Sequence, residues 1–339
     1  MKQPNSVFLR LIFLTKSRVS RATIDTMSIT IGVDVGGTKI AAGAVSEDGE
    51  MLAYVRKPTP AQNNDAVVEV IAECAEELSR SYQIEAIGIG AAGFVDGARS
   101  SVIFAPNLAW RNEPLAARVS AKTGYNVVVE NDANAAAWAE FRFGAAKGSK
   151  SAVIVTVGTG IGGGIILNNQ LIRGTNGFGA EIGHINMVPH GLECGCGRFG
   201  CWEVYSSGNA LVNEAQKFAR TAPEDSALLL DFAGGTPDAI TGPMVTRAAE
   251  LGDAVALACF KSIGHWMGSG MADLAAILDP DIFVLAGGVA ETGDLLLAPT
   301  RKAFTELLTA ADYRPAIPIS VATLGNDAGI IGAADLARQ

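Results

Sequence analysis

Charge is scarce in this 339-residue chain: Asp, Glu, Lys and Arg together make up 18%, below the roughly 25% usual for soluble domains. With 49% hydrophobic residues, that composition excludes a disordered tail protein and a coiled coil. No uninterrupted apolar run of about 18 residues occurs, which argues against a spanning helix. Basic residues are in deficit, giving a formal charge of −9, so no nucleic acid and no membrane is expected as a partner. Any anionic ligand must be held by local devices such as backbone amides, helix ends or a metal. Cysteines are few and odd in number, at positions 74, 194, 196, 201 and 259. Three crowded together are no disulfide framework; they read as metal chemistry in a reducing, cytoplasmic compartment. A Walker A turn is missing too, since no glycine turn runs into Gly-Lys-Ser/Thr at the required spacing.

What is present suits two domains. Residues 1–26 stand apart, with Lys2, Arg10, Lys16, Arg18 and Arg21 against Asp25 alone. Such a start fits an organelle transit peptide or a spurious upstream start. The second is preferred, because Met27 opens directly onto a strand-like run, and 1–26 is set aside as an unstructured extension. Strands at 29–33 and 40–45 flank a glycine turn, which makes a hairpin. Asp65 can cap a helix whose apolar residues recur at three and four, and further strands follow at 84–89 and 127–129. Asn131 or Asp132 then caps a helix. A Gly-, Lys- and Ser-rich junction near 144–150 leads into the same theme again: strand 152–157, turn 158–160, strand 165–167. The expected organisation is a small N-terminal α/β domain over 27–144 and a larger C-terminal α/β domain over 145–325. A last helix at 326–339 is expected to pack back on the first.

Four constellations carry chemistry. In Asp34-Val35-Gly36-Gly37-Thr38-Lys39, glycines let backbone N–H groups converge on a phosphate, Thr38 adds a donor and Lys39 a charge. Asp34 at the strand end could hold Mg²⁺ through water; a plain hairpin turn is the alternative. Gly158-Thr159-Gly160-Ile161-Gly162-Gly163 satisfies the dinucleotide fingerprint literally, but it leads into a strand where the fingerprint opens a helix. A second phosphate-gripping hairpin explains it better. Cys194, Cys196 and Cys201 with His184 make a closed tetrahedral Zn²⁺ site, which is structural and not catalytic; His190 is a rival fourth ligand by spacing. Glu130-Asn131-Asp132 follows a strand and precedes a helix, where a carboxylate can act as general base on a hydroxyl. Glu181 and Glu203 flank the proposed metal and would, with the outer nitrogen of His184, suit the vicinal hydroxyls of a sugar.

Taken together, these residues resemble the ROK family of sugar kinases and regulators, and within it the bacterial glucokinases most. The resemblance rests on Asp34-x-Gly36-Gly37-Thr38-Lys39, Pro106-Asn107-Leu108, Glu130-Asn131-Asp132, the glycine run 158–164, Glu181-x-Gly183-His184, the box from Cys194 to Glu203, and Gly287-Gly288. It implies an α/β, actin-like (ribonuclease H-like) two-domain ATPase fold with an interdomain active-site cleft. It implies Asp132 as base toward the 6-hydroxyl of glucose, with Asn107, Asn131, Glu181, His184 and Glu203 binding the sugar. It ranks His184 above His190 as zinc ligand. It gives Gly158, Thr159 and Gly160 to phosphates and Gly287-Gly288 to adenosine. Expected partners are glucose and ATP, with Mg²⁺ and structural Zn²⁺, in a homo-oligomer (dimer or tetramer). A kinase for another hexose or an N-acetylhexosamine, or one using polyphosphate, would share most of these motifs. A sugar-responsive regulator is disfavoured, since 26 extra residues cannot form a helix-turn-helix domain.

Overall fold

β-branched runs broken by glycine set the frame. The computed structural model describes residues 28–339, and the expectations for 1–26 lie outside the described residues. These residues divide into two units: 28–143 with Arg173–Gly179 and Asn326–Gln339, and Gly144–Ile172 with Ala180–Gly325.

The first unit is built on a five-stranded sheet. Its strands are β1 (Ile29–Val35), β2 (Lys39–Ser46), β3 (Met51–Pro58), β4 (Ile84–Ala91) and β8 (Asn126–Asn131), in the order β3-β2-β1-β4-β8. β1, β2 and β3 form an antiparallel meander, whereas β1, β4 and β8 run parallel. Short strands β5 (Phe94–Val95), β6 (Val102–Phe104) and β7 (Arg111–Glu113) make a separate small sheet. Helix Asn64–Ser79 buries Val67, Val68, Ile71, Cys74, Ala75 and Leu78, the stripe that its spacing foretells. Its cap differs from expectation. Asn63, with extended backbone, accepts the Ala66 N–H at 3.1 Å, while Asp65 falls in the first turn and pairs with Arg118. An N-cap must have non-helical backbone, and Asp65 is already helical.

The C-terminal helix Ala328–Leu336 lies across this sheet. A Cβ at Gly32 or Gly88 would collide with the carbonyls of Ile330 or Ala333, so only glycine admits the helix backbone this close. Thr30 donates its hydroxyl to the Ala334 carbonyl at 2.9 Å, and Trp138 donates its indole N–H to Asp335 at 2.7 Å.

The second unit repeats the plan. Strands β9 (Ala152–Val157), β10 (Ile161–Leu167), β11 (Gln170–Leu171), β12 (Ile282–Ala286) and β13 (Ile319–Val321) are ordered β11-β10-β9-β12-β13, with the same alternation of antiparallel and parallel pairs. The hairpin echoed in the sequence is thus part of an echoed sheet. Helices Gly208–Thr221, Gly242–Glu250 and Ala254–Leu278 lie between β11 and β12, and Asp294–Leu307 joins β12 to β13. Each unit has its own apolar core. Among the described residues no helix is long and apolar enough to cross a membrane.

Candidate active site

In parallel α/β sheets, ligand-binding side chains collect beyond the carboxyl ends of the strands. The first unit follows that rule. Cross-strand register puts Asp34 opposite Gly90 and Gly90 opposite Glu130, so the 34–39 turn and the 130–132 triplet leave one edge of the sheet. In the turn, Gly36 donates its N–H to the Lys39 carbonyl at 3.0 Å, and Thr59 donates its hydroxyl to the Gly36 carbonyl at 2.7 Å. Asn107 stands against this turn: a Cβ on Gly37 would lie 3.1 Å from the Asn107 Cβ. Burial raises the Asp34 carboxyl above its ordinary value, with Lys39 opposing.

Asn131 and Asp132 divide the capping role left open by the sequence. The Asn131 side chain accepts the Asn134 N–H at 3.0 Å and is the N-cap; its amide donates to the Gly93 carbonyl at 3.1 Å. Asp132 is the first residue of helix Asp132–Arg142, with Oδ1 accepting the Ala133 N–H at 2.9 Å. Glu130, flanking both, is buried and paired with Arg99 and Arg173.

The second unit brings its two glycine elements together. Gly158 and Thr159 share a groove of about 610 Å³ with Asn209, Pro243, Thr246, Arg247, Gly288 and Val289. The 158–160 turn is anchored on the helix that Ser207 caps: Gly208 donates its N–H to the Gly158 carbonyl at 2.8 Å, and Asn209 to that of Thr159 at 3.3 Å. Gly287 has φ +88, and a Cβ there would lie 2.7 Å from the Val157 carbonyl oxygen. Asn209, Pro243, Thr246 and Arg247 carry no motif of their own, so the sequence did not flag them.

The 181–203 loop folds around a sulfur cluster. Ligand atoms of His184, Cys194, Cys196 and Cys201 all lie within 4.8 Å of one another. Nδ1 of His184 is 3.7 Å from Cys194 Sγ, and Cys196 and Cys201 sulfurs are 3.7 Å apart. His190 is exposed and outside this group. Three soft thiolate donors and one imidazole match tetrahedral Zn²⁺. Backbone turns shape the cluster: Gly197 and Gly200 have φ of +84 and +77, and Trp202 donates its N–H to the Ile185 carbonyl at 3.0 Å. Glu203 reaches both ligands, 2.9 Å from Cys194 Sγ and 3.5 Å from His184 Nδ1. A Cβ on Gly160 would strike the Glu203 carboxylate, so the 158–160 turn and the 181–203 loop touch. Desolvation raises the Glu181 carboxyl, opposed by His184 and reinforced by Glu203. The remaining cysteines differ in kind: burial pushes the Cys74 thiol up to about 11 and that of Cys259 to about 12, so both stay protonated in the cores.

Two sheets of one topology, a glycine turn after the first strand of each and a carboxylate at a parallel strand end define the actin-like class of sugar kinase fold. A model of the ROK family matches residues 30–339, and the chain belongs to that family. It is 50% identical over 313 residues to a glucokinase of Streptomyces coelicolor, covering 92% of this chain and 98% of the relative. The solved ROK family glucokinase from Streptomyces griseus, in complex with glucose and AMPPNP, is 49% identical with a TM-score of 0.81, covering 92% of this chain and 100% of that one. A ROK hexokinase from Thermus thermophilus is 35% identical with a TM-score of 0.76, covering 91% and 98%.

Proposed function

We propose that this protein is an ATP-dependent glucokinase, moving the γ-phosphoryl group of ATP to the 6-hydroxyl of glucose. The observation that carries the reading is the half-identity, over nearly the whole chain, to a glucokinase, together with a glucose- and nucleotide-bound relative of the same fold. The geometry agrees with it.

Phosphoryl transfer needs positioning and charge neutralisation more than covalent help from the protein. Asp132 is assigned as the base that takes the proton of the 6-hydroxyl. It is the first residue of helix Asp132–Arg142, just beyond a parallel strand end, where a carboxylate can take a hydroxyl proton. Asn107, Asn131, Glu181, His184 and Glu203 are assigned to the other sugar hydroxyls. With Nδ1 of His184 turned toward the thiols, Nε2 is left as the donor for a hydroxyl. Gly36, Gly37, Thr38 and Lys39, and Gly158, Thr159 and Gly160, are assigned to phosphates; Gly287 and Gly288 are assigned to the adenosine side of the groove. Mg²⁺, when bound, supplies neutralising charge to the phosphates, and the hard oxygens of Asp34 fit its water shell. Zn²⁺ would be held by His184, Cys194, Cys196 and Cys201, and breaks no bond: it shapes the loop that presents Glu181, His184 and Glu203.

Five free cysteines, three of them in a metal-type cluster, suit a reducing interior, so the cytoplasm is the proposed location. A homo-oligomer, dimer or tetramer, is proposed from family membership, and sedimentation velocity reads it. The function is tested by coupled ADP release with glucose, mannose, fructose and N-acetylglucosamine, each run with ATP and with polyphosphate. Glucose with ATP is expected to give the highest kcat/KM. A higher value for another sugar or for polyphosphate would overturn the assignment.

A further inference from the structure

Arg173 has no part in the chemistry above, yet it is the nearest counter-charge to the carboxylate that precedes Asn131 and Asp132. Glu130 is 1% exposed. Its Oε1 accepts the Asn131 backbone N–H at 2.9 Å and the Asn134 side-chain amide at 3.1 Å. Its Oε2 faces Arg173 Nε at 2.7 Å and Arg99 Nε at 3.5 Å. Neither Nε–H is aligned for a hydrogen bond, so the attraction is coulombic. Arg173 is locked from the other side, donating to the carbonyls of Asp96 at 2.9 Å and Gly97 at 3.1 Å.

The segment that delivers Arg173 is shaped for the purpose. Arg173–Gly179 leaves β11 and joins the first unit. Gly179 donates its N–H back to the Arg173 carbonyl at 2.8 Å, closing the loop. Gly177, at φ +87, lies so close to the Val95 carbonyl that a Cβ would collide, and a Cβ on Gly97 would lie 2.7 Å from the Thr175 carbonyl oxygen. Phe178 meets the Phe94 ring edge-on at 5.4 Å. A buried carboxylate without a cation is costly, and Arg99, the second cation, is farther away and held at φ +60.

We infer that Arg173 is a positioning residue for phosphoryl transfer: through Glu130 it fixes Asn131 and Asn134, the two residues that bracket Asp132 at the helix start. The inference rests on Asp132 being the base. It gives the glycine-rich loop 173–179 a function in setting the base, beyond connecting β11 to the metal loop.

A double-mutant cycle separates this from a purely structural role. Arg173→Met keeps the length of the stem and leaves Arg99 to balance Glu130. It is expected to lower kcat by about 10- to 100-fold, the scale of a small misplacement of a reacting group, with KM for ATP unchanged. Arg173→Lys should recover most of the loss. In an Asp132→Asn background, Arg173→Met should lower kcat no further. Wild-type kcat in Arg173→Met, or the same fold-loss in both backgrounds, would overturn the inference. Should Arg173→Met fail to fold, the pair Glu130→Gln with Arg173→Met removes this ion pair, leaving Arg99 as the remaining cation beside it, and is put through the same cycle with the same expected outcome. Wild-type turnover in Asp132→Asn would instead overturn the base assignment, and the inference with it.

Discussion

Gly208→Ala probes the nucleotide half of the account through a single methyl group. Its Cβ would lie 2.7 Å from the Gly158 carbonyl oxygen and 3.2 Å from Val289 Cγ2. Ordinary contact begins near 3.4 Å, so the 158–160 turn must retreat by about 0.7 Å and strain the bond that Gly208 N–H makes to it. Gly208 is the first residue of its helix, where the interior preference for alanine over glycine has little hold, so the strain falls on its contact with the turn. The loss is local. A backbone donor that no longer reaches a phosphate forfeits a charge-assisted hydrogen bond of about 1.5–3 kcal/mol, a rise in KM for ATP of about 10- to 100-fold. Initial rates by coupled ADP release, with ATP varied at saturating glucose, read that change. Wild-type KM for ATP in a folded Gly208→Ala protein would refute the assignment of this turn to phosphates.

Other expectations follow from the same residues. Cys196→Ser should lower zinc content by elemental analysis and raise KM for glucose, because the loop bearing Glu181, His184 and Glu203 loses its pin; unchanged zinc would contradict the metal site. Prolonged chelation should act alike and be reversed by added Zn²⁺. Burial raises the Asp34 carboxyl, so its contribution to stability is full below pH 3.8 and is lost as pH rises through the folded-state value. Asp34→Asn should accordingly have a higher Tm than the parent at pH 7.5, converging with it near pH 4, while turnover with ATP and Mg²⁺ falls; a lower Tm at pH 7.5 would contradict the sign.

Local features were legible in the sequence. Glycine-broken β-branched runs gave both hairpins, because turn chemistry and strand pattern are decided within a few residues. The cysteine spacing gathered three sulfurs, and folding chose between the two histidines: His184 ends a short 3-10 turn and joins the cluster, whereas His190 occupies an exposed left-handed turn. Long-range features were not legible. Nothing local in Arg173 announces that it will meet Glu130, since that encounter depends on a loop changing units. The rim of the groove beside Gly158 and Thr159, with Pro243, Thr246 and Arg247, comes from helix Gly242–Glu250, distant in sequence from either glycine turn. The Asn63 cap was missed because Asp65 and Asn63 are equally good formers and only the backbone at 63 decides.

The central claim reduces to one carboxylate meeting one primary alcohol. Turnover of glucose with ATP and Mg²⁺, measured beside glucose affinity by calorimetry for the parent and Asp132→Asn, addresses it most directly. The account predicts ready ADP release by the parent, and a loss of at least about 10²-fold in kcat for the variant with glucose binding retained. Near-parental kcat in Asp132→Asn would contradict it.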